Sequence, residues 1–114
     1  MKKMKYVYIA VMLLFVICTN AVGAEVYNTT ITNMITYTKF GGGDVIVKVA
    51  TSHPNGCEGG FWLDKDAPGF QATLTFLLSA FHANSKISIS VIPSEIWDGS
   101  GAKYCKIDWV QIAK

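Results

Sequence analysis

The sequence predicts a mainly β, α+β domain of five strands with one helix between the third and the fourth. Three observations carry that prediction: side chains alternate with a period of two in three stretches, with two further short stretches that read as strands, one stretch between Pro68 and Ala83 has helical periodicity, and glycine- or proline-rich breaks separate them. The domain spans residues 25–114. Residues 1–24 read as a secretory signal peptide that is cleaved: Lys2, Lys3 and Lys5 form a basic start, Tyr6 to Cys18 is almost wholly apolar, and Ala21-Val22-Gly23-Ala24 offers small residues for cleavage. That apolar run is about 13 residues where a membrane span needs about 20, so no stable span is expected after cleavage. The expected location is secreted or periplasmic.

Val26 to Tyr37, rich in Thr, Ile, Val and Tyr, reads as a long first strand with Ile31, Asn33, Ile35 and Tyr37 on one face and Thr30, Thr32, Met34 and Thr36 on the other. Gly41-Gly42-Gly43-Asp44 breaks the chain. Val45 to Ala50 then alternates as a second strand, hairpin-paired with the first. His53-Pro54-Asn55-Gly56 is a turn cluster, and Gly59-Gly60-Phe61-Trp62-Leu63 is a short third strand whose glycines suggest a bulge or a close backbone approach. From Pro68 to Ala83 the residues Phe70, Leu74, Leu77, Leu78 and Phe81 fall on one helical stripe. Asp64 or Asp66 supplies start chemistry, and Asn84 is a left-handed stop. Ile87 to Val91 is a fourth strand ending near Pro93, and Tyr104 to Ile112 a fifth, after a loop through Asp98-Gly99-Ser100-Gly101.

Three strands, a helix and two strands in about 90 residues is the element order of an OB-like barrel. In that barrel the third and fifth strands are parallel neighbours. Once the leader with Cys18 is removed, Cys57 and Cys105 are the two remaining thiols of a chain sent to an oxidising compartment, and two cysteines permit one intramolecular disulfide. They stand at the starts of those same two strands. A disulfide between Cys57 and Cys105 is expected, which leaves little room for a cysteine nucleophile helped by His53 or His82.

Charge and motifs narrow the function classes. The exported part carries seven lysines against eight carboxylates, a formal charge of −1, and the chain contains no arginine. Without that planar bidentate donor, nucleic-acid binding is not expected. Gly41-Gly42-Gly43 leads into a strand where a phosphate cradle would want a helix N-terminus, so no nucleotide site follows. His53, Cys57 and Glu58 lie close in sequence, but the thiol is committed to the disulfide and no metal or other cofactor is expected. Asn28-Thr29-Thr30 fits the N-glycosylation pattern, relevant only in a eukaryotic secretory pathway. With no paired acid and base in view, the chain is read as a non-catalytic binding protein.

A small exported chain with this order of elements and one internal disulfide resembles the receptor-binding B subunits of bacterial AB-type toxins. It is also similar to small, uncharacterised secreted bacterial proteins in which a Gly-Cys element before the helix is matched by a Cys-x-Ile element near the C-terminus. Gly56-Cys57, the Phe70 to Phe81 helix and Cys105-Lys106-Ile107 with Val110 and Ile112 carry the likeness. It implies a ring, a homo-oligomer of five OB-like subunits, that binds a host glycan or protein receptor. Cys57 lies well inside the chain, whereas the toxin-type disulfide begins near the mature N-terminus, so no binding residue is carried over. Glycan sites join an aromatic platform to carboxylate, amide or hydroxyl groups. Trp97 with Asp98 and Ser100 on a loop, and Trp62 with Asp64 on a strand, are the expected ligand-binding residues. Trp109 with Asp108 has the same mixture. A ring would also need edge strands that pair between protomers, for which the Thr-rich first strand is suited. The other reading is a small envelope structural or inhibitor-type protein that binds another protein.

Overall fold

A computed structural model describes residues 23–114; residues 1–22 of the expected leader, including Cys18, lie outside the described residues, while Ala24, its expected last residue, opens the first strand opposite Val91. Among the described residues the fold is mainly β, a six-stranded mixed sheet with one α-helix. In chain order the elements are β1 (Ala24–Thr29), β2 (Ile31–Thr36), a 3-10 turn (Phe40–Gly43), β3 (Val45–Val49), β4 (Gly60–Leu63), α1 (Phe70–Ala83), β5 (Ile87–Ile96) and β6 (Tyr104–Ile112). Across the sheet they run β1-β5-β6-β4-β3-β2.

The expected first strand is therefore two strands. Asn28 takes a left-handed φ of 50°, and the register against β5 shifts between Val26 and Thr29. Thr29, buried at the bend, accepts the Thr51 N–H at 3.3 Å and pairs with the Thr51 hydroxyl at 3.0 Å, while Ala50 N–H donates to Thr30 O at 2.9 Å. The bend sends β1 to β5 and β2 to β3, so the two outer strands of the sheet are consecutive in the chain. A second register shift between Ile31 and Asn33 changes which side chains face inward. Ile31 is buried and Met34 packs on the core, whereas Ile35 and Tyr37, expected on the face of Ile31, are exposed.

The parallel neighbours expected from the sequence are present: β4 pairs with β6 with Gly60 opposite Tyr104 and Phe61 opposite Cys105. The Cys57–Cys105 disulfide ties them together, with Cα atoms 5.3 Å apart and both cysteines fully buried. Gly60 has φ +127°, and a Cβ there would meet Val47 O at 2.7 Å, which is the close approach the glycine-rich start of β4 signalled. β5 continues through Pro93 to Ile96 rather than stopping there. Proline is tolerated because the ladder with β6 is irregular between Ile92 and Ile96.

α1 seats on β6 and β2 through a narrow face. Leu77 and Ala80 are buried and Phe70 and Leu74 half-buried, but Leu78 and Phe81 of the expected stripe are exposed. No side chain caps its start: the residue at the cap is Gly69, and Asp64 instead accepts the Asp66 N–H at 2.9 Å in the turn ahead. Asn84 ends it in the left-handed conformation, with Ser85 N–H bonded back to Ala80 O at 2.9 Å. The core beneath joins Val47, Phe61, Ile89, Val91 and Leu77 at 0% exposure.

Candidate functional site

The aromatic residues of the Trp97 corner are gathered by four separate segments. Trp97 follows β5, Tyr104 opens β6, Tyr37 follows β2 and Phe40 starts the 3-10 turn. The Trp97 ring lies nearly parallel to Tyr37 with centroids 6.2 Å apart, and edge-on to Phe40 at 6.2 Å and to Tyr104 at 5.9 Å. Gly99 and Ser100 complete the rim of a depression of about 200 Å³.

Trp97 itself is not the exposed platform expected of a loop residue. It is 4% exposed, because Asp44 and two glycines hold it inward. Its Nε1–H donates to Asp44 Oδ2 at 3.0 Å, and its backbone N–H donates to Tyr104 O at 3.0 Å. A Cβ on Gly41 would stand 2.9 Å from the ring and one on Gly99 2.2 Å, so the ring fits only where these residues lack side chains. Asp44 is also buried, and its other oxygen accepts the Lys65 N–H at 3.0 Å. One carboxylate thus binds three segments, and both its oxygens are satisfied. The rings that face outward are Tyr37, 43% exposed, and Phe40, 58% exposed. Phe40 carries no signal of its own in the sequence: its ring meets Tyr37 and Trp97 edge-on only once the turn is folded. Ser100 is exposed and its Oγ accepts the Ala102 N–H at 3.1 Å; Asp98 is exposed on the same loop.

Trp62 and Asp64 belong to a different cluster. Trp62 is half-buried, and its Nε1–H donates to Glu95 O at 3.0 Å. Lys106 Nζ lies 5.6 Å from the Trp62 ring centroid, 3.2 Å from Asp64 Oδ2 and 3.8 Å from Glu95 Oε1. The cation that could have come from a ligand is supplied by the chain itself, over the ring and between the two carboxylates. The Asp66 N–H holds the Asp64 carboxyl below the usual carboxylate range, partial burial opposing it and Lys106 adding to it. Trp109 is the exposed tryptophan, at 38%, and flanks a shallow depression with Phe76 and Ala72.

The histidines are engaged in structure or exposed. His53 Nε2 accepts the Val49 N–H at 3.4 Å, Nδ1 lies 3.2 Å from Glu58 O, and the ring sits edge-on to Phe61 at 5.3 Å. His82 lies in the last turn of α1, exposed and edge-on to Phe81. Among the described residues no group of three or more His, Cys, Asp or Glu could hold a metal ion, and no helix is long and apolar enough to cross a membrane. A further groove of about 360 Å³ runs between β2 and α1, lined by Met34, Ile35, Val45, Phe70, Leu74 and Leu78. No protein-family model and no curated protein matches the chain.

Proposed function

We propose that this chain is an exported, non-catalytic binding protein built as an OB-like barrel, with the depression beside Trp97 taking one sugar ring of a glycan receptor. The barrel reading is supported by the continuity of β1 and β2: these two outer strands of the sheet are joined by the single residue Thr30, as a chain that curls its sheet toward closure would require. The observation that carries the binding reading is the exposure of Tyr37 and Phe40 around a fixed Trp97, with the Ser100 hydroxyl on the same rim. Exposed ring faces offer burial to the apolar face of a sugar, and the hydroxyls of Tyr37, Tyr104 and Ser100 offer direction. The free edges suit a homo-oligomer, a pentamer in the toxin-like case: the segment from Ala24 to Tyr37 carries one charge, Glu25, and neither the lysine nor the proline that commonly guards an edge strand.

The test is paired: a glycan array probed with the exported protein and with Tyr37→Ala and Phe40→Ala variants, and light scattering for particle size. Binding lost in both variants supports the reading. A blank array together with a strict monomer would end it. The second reading, an envelope structural or inhibitor-type protein, is favoured by the apolar groove between β2 and α1, which suits a protein segment better than a sugar.

A further inference from the structure

We infer that Asn55 is a site of spontaneous deamidation, converted to aspartate and isoaspartate through the Gly56 nitrogen, and that Glu58 sets its rate by holding the Gly56 N–H. Of the asparagines in the sequence, Asn55 is the one followed by glycine, the residue whose backbone nitrogen is least shielded by its own side chain. The site is accessible: Asn55 is exposed, and a Cβ on Gly56 would meet nothing within 4 Å.

The chemistry balances without a cofactor. The Gly56 nitrogen gives up its proton to solvent base and attacks the Asn55 side-chain carbonyl carbon. A carbon–nitrogen bond forms, the bond to the side-chain amide nitrogen breaks, and that nitrogen leaves as ammonia. Water then opens the five-membered imide at either carbonyl, which leaves aspartate or isoaspartate. One water is consumed, one ammonia is released, and nothing is oxidised or reduced.

The native loop opposes the first step. Gly56 N–H donates to Glu58 Oε1 at 2.9 Å, so the nucleophile's proton is held by a carboxylate that this bond and its own N–H keep below the usual carboxylate range. Cys57 N–H donates to Pro54 O at 2.9 Å, closing a turn in which Gly56 has φ +86°. His53 pins the same turn through Glu58 O, and Cys57 is anchored by the disulfide. To attack, the Gly56 nitrogen must leave the carboxylate and its peptide plane must turn against these restraints. Conversion then adds a negative charge beside Glu58, and isoaspartate lengthens the main chain by one carbon two residues before Cys57. The native protein therefore carries a slow, one-way change of charge and shape at the foot of its disulfide.

The test follows the intact protein and Glu58→Ala and Glu58→Gln variants through incubation at neutral pH. Acidic species are separated by ion exchange, and the modified residue is located by peptide mass mapping. The expected result is Asn55 as the first asparagine converted, several-fold slower in the native chain than in the reduced, unfolded chain. Glu58→Ala should speed it several-fold, and Glu58→Gln, which keeps an acceptor without the charge, should fall between. Glu58 is exposed, so the fold tolerates both changes; unchanged near-ultraviolet circular dichroism checks this. Earlier conversion of Asn84, or a rate in Glu58→Ala equal to or below that of the native chain, would overturn the inference.

Discussion

Reducing the Cys57–Cys105 bond perturbs one covalent link while leaving every side chain in place, and its cost follows from the span it closes. The cysteines are 48 residues apart, and the closed loop contains β4, α1 and β5. On the chain-entropy relation, releasing a loop of that length in the unfolded state costs ~4 kcal/mol of stability. For a domain of this size each kcal/mol shifts the melting temperature by about 4–8 °C, so reduction should lower it by about 15–30 °C. Both cysteines are fully buried, so reduction needs prior unfolding or local opening, and the native protein should resist mild reductant at room temperature. The assay is thermal unfolding by circular dichroism of oxidised and reduced protein at matched pH, with Cys57→Ala/Cys105→Ala as a second link-free form. A shift under about 5 °C in both forms would refute the reasoning, since it would mean that the unfolded chain gains little freedom from a loop of this length.

Gly60→Ala should destabilise the fold by about 3 kcal/mol in urea titration, because the new methyl meets Val47 O at 2.7 Å and φ is +127°. Asp44→Ala leaves the Trp97 indole N–H and the Lys65 N–H without acceptors, and should cost about 2–4 kcal/mol and red-shift the tryptophan emission. The carboxyls of Glu58 and Asp64 are both held below their ordinary values, so their contribution is present above the ordinary carboxylate range and is lost as pH falls through the lowered folded-state values. Stability should therefore decline below about pH 4, and Glu58→Gln with Asp64→Asn should flatten that decline in acid titration of unfolding.

The legible and the illegible parts of the site differ in the range of the forces that set them. Phe61, Val47 and Ile89 alternate within their own strands, so their inward face could be read from neighbours two residues away. Ile35 could not, because the register shift between Ile31 and Asn33 reverses which side chains face the core, and period counting contains no signal for it. Trp97 stood beside turn residues and read as exposed. What buries it is Asp44, 53 residues away, together with clearance at Gly41 and Gly99 that exists only once the turns are brought together.

The helix, the strands from Val45 onward and the pairing of Cys57 with Cys105 are legible in the sequence, and the parallel adjacency of the strands that follow the cysteines came with the barrel expectation. Local periodicity and a single permitted connectivity are properties of the chain before it folds. Tertiary packing settles that the first strand splits at Asn28 to Thr30 between the two ends of the sheet. It also decided that Lys106 covers Trp62, and that Tyr37 and Phe40, not Trp97, face outward. Each of those outcomes depends on contacts between residues distant in sequence, whose competition for one volume and for one set of hydrogen-bond partners is settled only when the chain packs.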